Sequence, residues 1–302
     1  MGYFYLVCVS VLFSFGGTFA KLLKPYLSSN YITFFRFAVG VLFLLALKLV
    51  LRQGFRRDFF QSLKKCGKWI VIGAAAKTLA YLTENYALLR GPSYGNIITQ
   101  PAQAVFITIV SYMLFREKIT RKKLLCMALC LMGVLLISWN GRPMETFFRE
   151  NLLLLVLFII SGMCAGAHVL AQKMVADRMD NVDSNLSMFV LAAAMSALFL
   201  IPDAAANGLP DMRMDIMGIV GLLGFGFNTG IGFYLNAKAI PLVPLFMVPI
   251  IQSMMVIYAI IWGALFFGEA ITGYVIGGTA IFMVGLVALQ LLNSKDRQEA
   301  AQ

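Results

Sequence analysis

Ten apolar stretches, at about 3–22, 31–51, 69–89, 93–115, 122–139, 151–172, 185–201, 214–237, 241–267 and 273–292, take up nearly all of this chain of 302 residues. A helix needs about 20 mostly apolar residues to cross a bilayer, whereas a barrel strand needs about ten of alternating polarity. Runs such as Val41 to Val50 and Leu152 to Ile160 have no period of two, so the stretches read as helices. The breaks between them carry helix-ending punctuation: Lys24-Pro25, Gly91-Pro92, Pro202, and Pro241 with Pro244. With 60% hydrophobic and 13% charged residues, the composition is that of a lipid-solvated bundle with no sizeable soluble domain. The expectation is an all-α membrane protein of ten transmembrane helices, followed by a solvated, mobile, cytoplasmic tail at 293–302.

The net charge of +11 would point a soluble protein toward nucleic acid, but in a membrane it sets orientation, because Lys and Arg gather on the cytoplasmic side. Assigning the 25 basic residues to alternate sides gives 17 to the side that holds both termini and six to the other, with Arg36 and Lys77 inside helices. Both termini are therefore expected in the cytoplasm of a cell whose plasma or inner membrane holds the chain, and no nucleic-acid partner is expected. The first stretch has no basic flank and leads directly into further helices, which argues against a cleaved signal peptide.

The chain also resembles itself. A shift of 152 residues lays Ala87 on Ala239, Pro92 on Pro244, Gln100 on Gln252, Ile109 on Ile261, Phe115 on Phe267, Glu117 on Glu269, Ile119 on Ile271, Thr120 on Thr272, Ala128 on Ala280 and Gly133 on Gly285. Ten matches in the 49 positions from 87 to 135, without a gap, mark a duplication. Five helices separate the copies, so equivalent helices should cross in opposite senses, giving two inverted five-helix repeats at 1–140 and 141–292. Halves that can exchange conformations would open a central site first to one side and then to the other.

Phe115-Arg-Glu-Lys-Ile-Thr120 and its echo Phe267-Gly-Glu-Ala-Ile-Thr272 each follow a Pro-bearing helix and precede a Gly-bearing one. Together with Tyr31-Ile-Thr-Phe-Phe-Arg36-Phe-Ala, which opens the second helix, they resemble the paired repeats of the drug/metabolite transporter superfamily, EamA branch. The resemblance covers nearly the whole chain. It implies a secondary transporter with a central cavity lined mainly by the first, third, fourth, sixth, eighth and ninth helices. It does not specify the substrate, since the branch includes exporters of amino acids and related metabolites, drugs and other small molecules. The second repeat has Met188-Phe189 where an arginine would answer Arg36, so a role for Arg36 is expected of the first half alone.

Substrate chemistry is sought among polar groups deep in helices, where a charge costs about 2.5–3.5 kcal/mol on insertion scales and must face protein or water. Lys77, Tyr81 and Glu84 in the third helix are spaced by four and three and share a face. Lys77 and Glu84 are about 10 Å apart along the axis at 1.5 Å per residue, too far to pair readily. An ammonium, a phenol and a carboxylate in one row could receive a zwitterion, or an organic anion with Glu84 as a protonation site. The alternative is that both charges snorkel to opposite membrane faces. Gln100, Gln252 and Asn228 are further candidates, and Arg36 could meet an anion or only carbonyls and headgroups. Asn228 stands among Gly221, Gly224, Gly226, Gly230 and Gly232, a pattern that suggests close packing and a helix able to bend. Gly162 and Gly166 have the same small-residue spacing. Glu117 and Glu269 read as clasps that, with Thr120 and Thr272, cap the following helices.

Enzyme-like signals are weak. Gly91-Pro-Ser93-Tyr-Gly95 matches a nucleophile elbow, but it joins two helices and lies across the membrane from His168, the single histidine. The five cysteines form no C-x-x-C, and Cys126 with Cys130 reads as packing. Asn185-Leu-Ser187 fits a glycosylation acceptor on the wrong side. No cofactor, metal or nucleotide site is expected; the partners are lipid and a small-molecule substrate, with a coupled proton or other ion as a further candidate. The favoured function is export of a small amphipathic or zwitterionic metabolite, amino-acid-like or an organic anion, by alternating access. Uptake or exchange is the runner-up, and a membrane enzyme or non-transporting scaffold is the competing class.

Overall fold

The computed structural model describes the chain except for residues 53–58, 116–119, 142, 144, 146, 177, 211, 240–241, 244–246 and 302. The described residues form helices and no strand. In order they are α1 (Gly2–Ser14), α2 (Gly16–Leu23), α3 (Ser29–Val50), α4 (Phe59–Leu88), a 3-10 turn (Ser93–Ile98), α5 (Thr99–Phe115) and α6 (Arg121–Trp139). The second half has a π turn (Phe147–Asn151), α7 (Leu152–Ala176), α8 (Asn181–Ala197), α9 (Leu200–Asn207) and α10 (Ile216–Phe227). A second π turn (Asn228–Gly232), α11 (Phe233–Ala239), α12 (Met247–Gln252), α13 (Met254–Phe267) and α14 (Gly273–Ala301) complete it.

Seven helical segments among the described residues are long and apolar enough to span a bilayer: Gly2–Leu23, Ser29–Val50, Arg121–Trp139, Leu152–Ala176, Asn181–Asn207, Ile216–Ala239 and Gly273–Lys295, with Met254–Phe267 shorter. The other two expected stretches differ for local reasons. The one at 69–89 lies in α4, whose 30 residues include Lys77 and Glu84. The one at 93–115 opens as a 3-10 turn, which leaves only 17 residues to α5. Within the tail, α14 runs on to Ala301 through Ser-Lys-Asp-Arg-Gln-Glu-Ala-Ala, which has no Gly or Pro to stop it. Cys66, which precedes the apolar stretch at 69–89, is buried within α4. Pro202 does not end a helix; it sits in the first turn of α9, where its missing N–H costs nothing.

Sequence chemistry sets the boundaries. Thr120 begins α6 by accepting from Lys123 N at 3.4 Å, and Thr272 does the same for α14 at Val275 N, also 3.4 Å. These caps are 152 residues apart, as the repeat requires. Asp180 caps α8 and Asp215 caps α10. Asn140 and Gly268 end α6 and α13 in the left-handed conformation, with φ of 51° and 62°.

Equivalent helices of the two halves run antiparallel. Along α3 and α8, Ser28 at the start of α3 donates to Asp203 beyond the end of α8, while Lys48 at the end of α3 pairs with Asp183 in the first turn of α8. Along α6 and α14, Trp139 meets Tyr274 with ring centroids 4.9 Å apart, Gly133 faces Gly278 and Phe282, and Cys126 clusters with Leu289. Contacts between the halves come in matching sets: α4 packs on α7 and α8, and its counterpart α10–α11 packs on α1–α2 and α3. The small-residue spacings make close contacts, since a Cβ on Gly230 would lie 2.6 Å from Gly40 O and one on Gly162 2.4 Å from Thr99 O. Between α3, α4, α7 and α8 lies a core that includes Phe37, Leu44, Ala74, Tyr81, Ala171, Met188 and Phe189, and the charged cluster described next stands at its edge.

Candidate functional site: a charged cluster shared by both halves

Arg36, one of two basic residues that topology leaves unexplained, is only 6% exposed, so it does not reach lipid headgroups. Its Nη1 lies 3.7 Å from Glu84 Oε1, and its Nε donates to Thr229 Oγ1 at 3.0 Å. The guanidinium plane covers two rings, with Cζ 3.4 Å from the Tyr81 centroid and 4.1 Å from that of Phe225. Arg36 therefore acts across the halves: Glu84 and Tyr81 belong to the first, Thr229 and Phe225 to the second. Met188, its repeat counterpart, is fully buried in the core.

Lys77 is the other basic residue. The ammonium sits between two rings, 4.2 Å from the Tyr81 centroid and 4.6 Å from that of Phe233. Among the described residues Lys77 forms no ion pair, because the Arg36 guanidinium holds Glu84. At 7% and 8% exposure neither Lys77 nor Glu84 snorkels to a membrane face. The spacing argument was right that the two do not pair directly, but the partner that separates them comes from another helix. The cluster thus contains two cations and one carboxylate, all buried, with Tyr81 in contact with both cations.

Local structure explains this geometry. On α4, Lys77, Tyr81 and Glu84 fall on one face, and that face is stitched to α3: Asn85 Nδ2 donates to Thr33 Oγ1 at 2.9 Å, and Thr33 Oγ1 donates to Tyr81 O at 3.3 Å. On the other side Phe225, Thr229 and Phe233 come from a row spaced by four that runs through the π turn Asn228–Gly232. An extra residue in the turn marks the place where this helix departs from α geometry. Asn228 belongs to that turn, 1% exposed, and both its amide atoms lack a hydrogen-bond partner.

The structure thus brings Arg36, Lys77, Tyr81 and Glu84 together, with Asn228 beside Thr229. Gln100 and Gln252 bond elsewhere: Gln100 Nε2 lies 3.4 Å from Met255 Sδ, and Gln252 Nε2 donates to Asn236 Oδ1 at 2.5 Å. Sequence reasoning missed Phe225, Thr229, Phe233 and His168 as neighbours. The first three were legible as a row spaced by four, but a row of two aromatics and a threonine looks like any buried stripe. The second helix, absent from the expected cavity lining, supplies Arg36.

Glu269 does not cap the helix that follows it. Its carboxylate accepts from Ser93 N at 2.7 Å and from Ser93 Oγ at 2.8 Å, and it lies 3.7 Å from Lys21 Nζ. It thus ties the end of α13 to α2 and to the start of the 3-10 turn, while the threonines do the capping. Glu117 lies outside the described residues. With its hydroxyl bound to Glu269, Ser93 is not paired with His168, whose Nδ1 is 2.9 Å from Gly73 O. Cys130 packs on α14 with Sγ 3.9 Å from Phe282 O. Asn185 is 2% exposed and bonded to Gln172 and Asn181, so it is no accessible glycosylation acceptor.

Comparison with known proteins gives the fold a context. A solved structure titled only "Crystal structure of protein" is similar over 97% of this chain and 98% of that one, with a TM-score of 0.68 and 16% sequence identity. That likeness shows a shared fold. No curated protein matches. The sequence profile of the EamA-like transporter family matches twice, at residues 1–139 and 152–290, once on each antiparallel half. The chain therefore belongs to the EamA-like transporter family, a family of membrane transporters of the drug/metabolite transporter superfamily.

Proposed function

We propose that the chain is a secondary transporter that exports a small amphipathic or zwitterionic metabolite by alternating access. In this reading it crosses the membrane ten times as two inverted five-helix repeats, 1–140 and 141–292, with both termini in the cytoplasm. The observation that carries the reading is Lys77: a buried ammonium that lies against two rings and has no ion pair among the described residues, while the neighbouring Arg36 takes the carboxylate of Glu84 at 3.7 Å. A cluster with one uncompensated positive charge favours a ligand that brings a carboxylate. Its rings favour a ligand with apolar surface. The antiparallel equivalence of α3 with α8 and of α6 with α14 supports the inverted arrangement. Glu269, with Ser93 and Lys21, joins the halves at one end. Energy would come from an ion or substrate gradient.

Purified protein in liposomes tests the proposal. Labelled amino acids, organic anions and organic cations are offered with and without a proton gradient. Flux of carboxylate-bearing compounds is expected. No flux of any class would sink the transport reading, and flux of cations alone would sink the role of Lys77.

A further inference from the structure

His168 on α7 is fully buried, stacked over Phe189 and edge-on to Phe233, with centroids 6.2 Å apart in both cases. Its Nδ1 faces Gly73 O at 2.9 Å. A carbonyl oxygen can only accept, so Nδ1 carries the hydrogen and Nε2 of the neutral ring keeps a bare lone pair. That Nε2 has no hydrogen-bond partner. A second hydrogen there would add a buried cation to a neighbourhood that already holds two.

Phe233 links this imidazole to the cations. The Lys77 ammonium is 4.6 Å from its centroid, and Phe13 packs on it at 5.2 Å. Phe13 in turn borders Gly232, where a Cβ would lie 2.8 Å from the Phe13 ring and 3.1 Å from Asn228 Oδ1. One set of rings is thus bordered by two kinds of buried polar group. Arg36 Nη1 and the Lys77 ammonium offer hydrogens and positive charge; His168 Nε2 and Asn228 Oδ1 offer lone pairs.

We propose that His168 Nε2 and Asn228 Oδ1 form the hydrogen-bond-accepting pole of the site. They select acids that carry an ammonium or hydroxyl next to the carboxyl group over plain carboxylates. The carboxylate goes to Lys77 and Arg36 Nη1, the neighbouring donor to His168. A ligand without that donor leaves the lone pairs buried and unsatisfied, which is how polar sites reject close analogues. The inference rests on the reading of this cluster as the transport site.

Matched pairs of acids test it, each 2-amino or 2-hydroxy acid beside the same acid lacking that group, titrated onto the purified full chain by calorimetry. The donor-bearing member is expected to bind about tenfold more tightly. In His168→Phe the ratio should fall to near one, and in His168→Gln, which keeps an acceptor, part of it should return. If His168→Phe does not fold, Asn228→Leu supplies the same ratio. Equal affinities within the pairs for the unaltered protein would overturn the proposal while leaving the transport reading intact, and so would a ratio unchanged in the variants. Binding of neither kind of acid, together with absence of acid flux in liposomes, would remove the carboxylate site itself and this inference with it.

Discussion

Arg36 of α3 and Glu84 of α4 approach to 3.7 Å in the interior of the bundle, and Lys77, seven residues before Glu84 on the same helix face, has no ion pair among the described residues and lies instead against the rings of Tyr81 and Phe233. The charge distribution of the site follows from this choice of partner.

Replacing Lys77 by alanine removes the unpaired charge and leaves the Arg36–Glu84 pair in place. A charge-assisted hydrogen bond to the ligand is worth about 1.5–3 kcal/mol. Liposome uptake of carboxylate-bearing substrates should therefore fall by about tenfold or more, with little change for cations. Equal loss for both classes would mean that Lys77 serves packing and not charge recognition.

Glu84→Gln leaves two buried cations without a carboxylate. Breaking one side of a buried pair costs about 3–5 kcal/mol, whereas replacing both sides by apolar groups is often nearly neutral. Thermal unfolding in detergent should accordingly show a larger drop for Glu84→Gln than for the double variant Arg36→Met with Glu84→Leu. The reverse order would place the pair's contribution elsewhere.

Gly133 and Gly277 both lie near the α6–α14 contact in sequence but not in environment. A Cβ on Gly133 would stand 2.6 Å from backbone atoms of Gly278 and Phe282, whereas one on Gly277 would meet nothing within 4 Å. Overpacking against backbone costs about 1–3 kcal/mol, so Gly133→Ala should lower the melting temperature. Gly277→Ala should hold or raise it, because alanine is favoured over glycine in a helix interior by about 0.5–1 kcal/mol.

Asp215 caps α10, and the Gly218 N–H at 2.7 Å, followed by the Tyr26 hydroxyl, holds its carboxyl below the usual range. A carboxylate with a depressed folded-state pKa stabilises above its unfolded value, and that contribution is lost as pH falls through the folded one. The same bond to Asp215 raises Tyr26, so its contribution is present below the ordinary tyrosine range and lost as pH rises through the raised value. Melting temperature followed from neutral to acid pH should therefore fall less steeply in Asp215→Asn than in the unaltered chain. Parallel curves would show that the cap does not titrate.

Much of the fold was legible because hydropathy and the offset of 152 residues act on every helix alike: Thr120 and Thr272 could be matched, and the structure finds both capping. The site was legible only along one helix. The spacing of Lys77, Tyr81 and Glu84 fixes a face, but what that face meets depends on how α3 and α10 lie across it, and no local pattern carries that. Hence Arg36 and Glu84 each stand out in the sequence while their pairing does not. The same limit explains Glu269, whose neighbours in sequence suggested a cap although its carboxylate reaches Ser93.

The polar load of α4 also bears on how the chain enters a membrane. Lys77 near its middle and Glu84 toward its end keep α4 out of the set of long helices apolar enough to span a bilayer, and a charge at the bilayer centre costs about 2.5–3.5 kcal/mol to insert alone. Arg36 of α3 stands 3.7 Å from Glu84, so two helices that entered the bilayer together would bring each of these charges in beside its opposite, where α4 alone would bring its carboxylate in unpaired.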